Sequence, residues 1–292
     1  KESESADKAK EVKIKRDGGK QNIRDLLTKV GISPATIIDD VKVVYIDSNG
    51  HICTDLDSIP ANASVEVNYS WSLPEELFGV IKEGDYFEFS LPDAIRVFPG
   101  TGPLIGNLGQ YGSYEVFTDC RVRFEFNKNV ETDHDIMGSF SYSTKFKRTE
   151  PGVVVIQTPN EDNAGPSKIR IRPNYDQAID KSGHVNKVPN PTGIVWEVNI
   201  NRPLSNMKDA ELVDIVPAGT SLKSIEIYPE TVDGTGAIVN IDRDHPLTEG
   251  VDYKRISSGS TETIKFIGKY AETHQAFHVV YTTMIDEDRK PE

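Results

Sequence analysis

The chain has only two cysteines, Cys53 and Cys120, in 292 residues. That is too few for a disulfide framework, and their spacing fits no zinc motif. Free, half-buried thiols are the plainer expectation, although an oxidising compartment permits a bridge. Basic charge is also scarce, with 33 Lys and Arg against 46 Asp and Glu and a net charge of −13. Nucleic acid and anionic membranes both require a basic footprint, so neither is an expected partner. No apolar run is long enough to span a bilayer, and the opening Lys-Glu-Ser-Glu-Ser is no signal peptide. Membrane insertion is therefore not expected, and if the protein is secreted its targeting segments have been removed.

Enzyme signatures are missing as well. Gly100-Thr101-Gly102-Pro103-Leu104-Ile105-Gly106 has the wrong spacing for a phosphate loop, carries a proline and leads into a strand, so it is expected to be a mobile loop. There is no G-x-S-x-G and no H-E-x-x-H, and the six histidines lack ligand spacing. Asp133-His134-Asp135 and Asp242-Arg243-Asp244 lack the spacing of calcium loops and are expected to be solvated. No catalysis, metal or cofactor is expected.

Helical periodicity is confined to one place. Ile23, Leu26, Leu27 and Val30 fall at i, i+3, i+4 and i+7 before Gly31, which predicts a short amphipathic helix that ends before Ser33-Pro34. Residues 1–21, rich in Lys and Glu, read as a solvated tail.

The rest of the chain has a period of two. Val65, Val67, Tyr69, Trp71 and Leu73 share one face while Glu66, Asn68, Ser70 and Ser72 share the other, the pattern of a half-buried antiparallel strand. Asp85, Phe87, Phe89 and Leu91 repeat it before Pro92. Further strands are predicted at 41–46, 113–118, 121–126, 138–146, 153–158 and 168–172. After them come 194–200, 210–216, 222–228, 236–241, 262–267 and 277–285.

Residues 177–222 repeat signals used earlier, in the same order. The stretch Asp180-Lys181-Ser182-Gly183-His184 reads as a turn answering Asp47-Ser48-Asn49-Gly50-His51. The strand at Trp196 answers the one at Trp71, and the strand before Pro217 answers the one before Pro92, at one common offset. A tandem of two related β domains follows. The expected organisation is all-β, with a charged tail and short helix at 1–38 and two Ig-like sandwiches at 39–172 and 173–292. The junction near Pro173-Asn174 is short and should limit the relative angles of the two domains.

In the second copy Ala210, Leu212, Asp214 and Val216 alternate onto one side. Asp214 is thus expected in the core, where an ionised carboxylate is costly. Lys181 is positioned to meet it from a neighbouring strand. From these residues alone the pair reads either as a salt bridge or as an amine activated by desolvation.

Four segments carry a family resemblance: GD-x-F-x-F-x-L-P at Gly84 to Pro92, N-x-N-V-E-x-x-x-x-I-x-G-x-F at Asn127 to Phe140, P-N-P-x-x-x-x-W at Pro189 to Trp196, and V-x-Y-x-T at Val279 to Thr283. Together and in this order they resemble the ligand-binding region of Gram-positive, cell-wall-anchored surface adhesins of the collagen-adhesin type, over about residues 38 to 292. The resemblance implies a secreted bacterial surface protein, its signal peptide and wall anchor absent from this sequence. It also implies that two Ig-like domains hold a host extracellular-matrix protein, collagen or fibrinogen, in a groove between them. A structural stalk or pilus-like module without its own ligand is the alternative.

In that family many second domains form an isopeptide bond between a lysine and an asparagine, assisted by an aspartate. Lys181 and Asp214 match the first two. Phe89 stands at the equivalent of Asp214 in the first copy, so no such bond is expected there. The acceptor asparagine lies on a strand after the V-x-Y-x-T segment, and no asparagine follows Tyr281 here. The second domain is therefore expected to lack its final strand, with Lys181 and Asp214 in reach of each other but uncrosslinked and an open edge beside them. The ligand face implied by the resemblance has Glu197, Asn199 and Asn201 pointing outward, opposite Trp196, Val198 and Ile200, with Tyr175 nearby in the linker. Glu197 and Asp180 replace aromatics and Val280 replaces an amide, which leaves another extended host protein open as the ligand.

Overall fold

Alternation builds the first sheet. In the computed structural model, which describes residues 14–96, 104–147, 149–157 and 167–289, Val65, Val67, Tyr69 and Trp71 are all at most 1% exposed. Each such side chain contributes about 1.5–3 kcal/mol by leaving water, and this fixes the strand's face and register. The first ten strands are β1 (Ile38–Ile46), β2 (Ile59–Pro60), β3 (Ser64–Ser72), β4 (Tyr86–Ser90), β5 (Leu104–Asn107), β6 (Gly112–Val116), β7 (Arg121–Phe126), β8 (Met137–Lys145), β9 (Gly152–Ile156) and β10 (Ser167–Arg172). The remainder are β11 (Ile179–Val185), β12 (Gly193–Ile200), β13 (Met207–Lys208), β14 (Glu211–Ile215), β15 (Thr220–Val232), β16 (Ile238–Ile241), β17 (Tyr253–Ser258), β18 (Thr261–Phe266), β19 (Glu272–Thr273) and β20 (Ala276–Ile285).

The chain divides into two compact units. One comprises Lys1–Thr54, Asn62–Arg148 and Val154–Ile169; the other comprises Asp55–Ala61, Thr149–Val153 and Arg170–Glu292. The fold is an all-β, Ig-like sandwich, as the strand pattern predicts.

In the first unit a sheet ordered β1-β3-β8 and a sheet ordered β4-β7-β6-β5 enclose an aromatic core. Trp71 packs against Tyr111, Phe124 and Phe126, and Phe89 packs against Tyr69, Phe124 and Phe140. Gly138 lies opposite Trp71 in the β3–β8 register. A Cβ there would sit 2.6 Å from the indole ring, so the glycine makes room for the tryptophan.

The helix predicted near residue 23 is present as α1 (Ile23–Lys29), capped by the Asn22 side chain, with Ile23, Leu26 and Leu27 fully buried. The tail reading is corrected for residues 14–21, while residues 1–13 lie outside the described part. Ile14 is 7% exposed, and the fully buried Asp85 carboxylate accepts hydrogen bonds from the Arg16 guanidinium and from the backbone N–H groups of Gln21 and Lys82. One paired carboxylate thus clips the segment to the domain, an arrangement that charge composition does not reveal. The expected loop at Gly100–Gly106 is corrected at its end, where Leu104–Asn107 pair with β6 as an edge strand; residues 97–103 lie outside the described part.

In the second unit the sheets are β11-β12-β20-β15-β16 and β14-β18-β17. Val198, Ile200, Ile227, Phe277, Val279, Ile264 and Phe266 form the core between them. The turn expected at Asp180–His184 is instead the middle of β11, paired residue for residue with β12 from Ile179↔Ile200 to Val185↔Ile194. The likeness to Asp47–His51 misleads because Asp47 accepts backbone hydrogen bonds from Asn49 and His51 and so closes a turn. Gly183 lies flat under the Trp196 ring, where a Cβ would come within 2.6 Å of it. The strand β17 had no sequence prediction. Its Tyr-Lys-Arg-Ile-Ser-Ser run lacks strong alternation and owes its place to pairing with β18.

Candidate functional site

The outer face of the five-stranded sheet in the second unit carries a row of polar side chains fixed by register. Val198 and Ile200 turn inward, which forces Glu197 and Asn199 outward. Pairing then aligns Asp180, Asn199, His278 and Tyr228 across four adjacent strands, with Glu197, Val280 and Glu226 in a neighbouring row.

These side chains are bonded into one network. Asn199 Nδ2 donates to Asp180 Oδ1 at 2.7 Å, and Asn199 Oδ1 lies 2.7 Å from His278 Nδ1. His278 Nε2 lies 3.3 Å from Glu197 Oε1. Asp180 also accepts from Arg202 Nη1 at 3.1 Å. Arg202 stacks over the Tyr175 ring at 4.1 Å and donates through Nε to the Gly236 carbonyl. Tyr228 donates to Glu226 at 2.6 Å, and the Arg243 guanidinium lies over its ring.

Glu230 is the unusual member. It is 2% exposed, and neither carboxylate oxygen has a hydrogen-bond partner among the described residues. His278 Nδ1, at 3.8 Å, is beyond hydrogen-bonding distance. Burial pushes Glu230 up to about 7, with Arg202 opposing and Asp180 adding to the rise. Burial likewise draws His278 below the ordinary histidine value, against the pull of Glu197 and Asp180.

The sequence-derived residues divide accordingly. Tyr175, Glu197 and Asn199 share the network, although Tyr175 is covered by Arg202. Asn201 requires correction: it is 3% exposed, with its Nδ2 donating to the carbonyls of Ser205 and Gln275 and its Oδ1 accepting from Ser205 N. It lies one residue past the end of β12 with φ at 62°, so strand alternation no longer sets its direction. His278 and Glu230 had no sequence prediction. The β20 alternation of Phe277, Val279 and Tyr281 would have placed His278 outward, whereas nothing local marks Glu230 as buried.

Lys181 and Asp214 lie elsewhere, where β11 and β14 form the edges of the two sheets. Lys181 Nζ is 2.9 Å from Asp214 Oδ1 and 3.0 Å from Oδ2, and it sits over the Trp196 and Tyr281 rings at 4.6 and 5.3 Å. Asp214 is half-buried rather than in the core, with a side chain 24% exposed, because its strand borders a cleft instead of a covering strand. That cleft is shallow and is lined by Leu212, Asp214, Val216, Leu222, Ile225 and Tyr281 among others. The Tyr281 hydroxyl is buried without a hydrogen-bond partner among the described residues. Cys53 and Cys120 are both half-buried and are not bridged to each other. No group of three or more His, Cys, Asp or Glu among the described residues converges as a metal site, and no helix there is long and apolar enough to cross a membrane.

Two family models match the chain. Residues 176–292 match the collagen binding domain family, and residues 58–151 match the bacterial Ig domain family. Among solved structures, the collagen binding domain of surface protein RspB from Erysipelothrix rhusiopathiae is 18% identical over 87% of this chain and 83% of its own, with a TM-score of 0.32. The MSCRAMM ACE of Enterococcus faecalis is 19% identical over 87% and 84%, with a TM-score of 0.33. The collagen adhesin CNA of S. aureus is 18% identical over 94% and 86%, with a TM-score of 0.32. No curated protein matches the chain.

Proposed function

We propose that this collagen-adhesin-like chain with Ig-like domains is a bacterial surface adhesin that binds collagen, and that the outer face around Asn199 and Glu197 takes part in the contact. The observation that carries the reading is the match of residues 176–292 to the collagen binding domain family. The face itself supports it. The amide of Asn199 and the carboxylates of Asp180, Glu197 and Glu226, which remain partly or fully exposed on this face, suit an extended polypeptide, which presents backbone donors and acceptors along its length. The −13 charge adds a preference for ligands with exposed cationic side chains.

Both units are needed for full affinity in this reading, and the protein is exported and displayed at the cell surface. The test is saturable binding of the whole chain, and of residues 173–292 alone, to immobilised collagen and fibrinogen. Collagen binding by the whole chain that weakens in the isolated second part, and weakens again in Asn199→Ala, is the expected result. Preference for fibrinogen would reassign the ligand. Absence of saturable binding to either would leave a stalk-like role in its place.

A further inference from the structure

His278 is 4% exposed, and the groups within hydrogen-bonding distance of its two ring nitrogens, Asn199 Oδ1 and Glu197 Oε1, are both acceptors. Asn199 presents its carbonyl oxygen to Nδ1, since the Asn199 amide nitrogen is committed to Asp180 Oδ1. The flipped amide would set an oxygen against that carboxylate. Nε2 faces the Glu197 carboxylate at 3.3 Å, and Glu230 Oε2 lies 3.8 Å from Nδ1. A neutral imidazole has one N–H to donate and an imidazolium has two. With the single proton on Nδ1, the bond to Asn199 is made and the Nε2 lone pair confronts Glu197. Only the doubly protonated ring bonds to both.

We propose that His278 is a proton-dependent positioning residue for this face. Singly protonated, it holds Asn199 and leaves the Glu197 carboxylate free for a ligand donor; doubly protonated, it binds Glu197 and withdraws that acceptor. The ligand class that senses the difference is an extended polypeptide that donates N–H groups or places a cationic side chain on Glu197. This deepens the adhesin reading and rests on it only for the ligand.

The charged groups around the ring set the balance. Asp180 on β11, Glu197 on β12 and Glu226 on β15 favour the second proton, whereas Glu230, pushed up to about 7 by burial, is neutral where His278 titrates. Arg202 after β12 and Arg243 after β16 oppose the second proton, as does burial. The net effect lowers the proton affinity of His278, so the ring is singly protonated at neutral pH and takes up its second proton on acidification. Tyr228, beside His278 in the register, has its proton held by Glu226 and does not titrate in this range.

The test on the free protein is an NMR titration of the His278 ring nitrogens, the Asn199 side-chain amide and the Glu197 carboxyl carbon between about pH 5 and 8. The expected result is a Glu197 step at the His278 midpoint, with that midpoint lower in Glu197→Gln and the step missing in His278→Gln. A Glu197 signal that does not follow His278, or an unmoved midpoint in Glu197→Gln, overturns the proposal; the first readout needs no variant to fold. The binding arm uses immobilised collagen: affinity should fall at least about fivefold from pH 8 to pH 5 in the wild type and stay level in His278→Gln. The same fall in both proteins overturns the link to the ligand. Failure to bind collagen at any pH counts against the adhesin reading, while the titration still decides the role of His278.

Discussion

Lys181 and Asp214 join the edge strands of the two sheets in the second unit, at 2.9 and 3.0 Å from Nζ to the two carboxylate oxygens. The equivalent of Asp214 in the first unit is Phe89, 5% exposed and surrounded by aromatic rings. The same strand position thus serves packing in one unit and an ion pair beside a cleft in the other.

That pair makes the first prediction. Its side chains are 35% and 24% exposed, so solvent screens it, and a double-mutant cycle of Lys181→Met with Asp214→Ala should give a coupling of about 1 kcal/mol or less. We further propose the pair as the lysine and aspartate of an isopeptide-type site without its acceptor in this sequence. Intact mass should equal that of the sequence. A mass short by one ammonia and restored by Lys181→Ala would show that an asparagine of this chain serves as acceptor.

Two glycines under tryptophans make the second. Gly138→Ala drives a methyl into the Trp71 ring, which is 1% exposed, and should destabilise the first unit by about 1–3 kcal/mol. Gly183→Ala meets Trp196 at the same 2.6 Å distance, but Trp196 is only partly buried and Gly183 is on an edge strand, so the loss should be smaller. Chemical denaturation of both variants checks the order, and equal losses would contradict this account.

How much of this was legible depends on what each residue answers to. Strands such as β3 and β12 were readable because alternation is local and one face is buried. Asp180–His184 misread as a turn because its composition is that of a turn, while its conformation is set by pairing with β12. The Asp85 clip depends on Arg16, 69 positions away, and the burial of Glu230 depends on groups from other strands and loops; neither leaves a periodic trace. Glu197 and Asn199 were placed outward by alternation, and Asn201 escaped it only because the strand had already ended.

Asp85 makes the third prediction. Its carboxylate is fully buried and satisfied by Arg16, Gln21 and Lys82. Asp85→Ala leaves the Arg16 charge without its partner and should cost about 3–5 kcal/mol. Hydrogen exchange at Gln21 should accelerate more than at Val65 in the core of β3. Uniform acceleration would mean that the segment unfolds only with the whole unit.

The pH dependence of stability makes the last. Glu230 has its folded value raised from 4.5 to about 7 by burial, so the folded state holds a proton that the unfolded state has released. Its contribution is fully present below pH 4.5 and is lost as pH rises toward 7; the shift corresponds to about 3 kcal/mol at most. His278 has the opposite sign. Its folded value lies below 6.5, so its contribution is present above 6.5 and is lost as pH falls through the folded value. Glu230→Gln cannot ionise and removes only the first of these. The variant should therefore melt higher than the wild type above pH 7, converge with it near pH 4.5, and keep the loss on acidification that His278 causes. Melting curves across this range decide the matter, and a constant offset between variant and wild type at every pH would show that Glu230 acts through packing rather than through its proton.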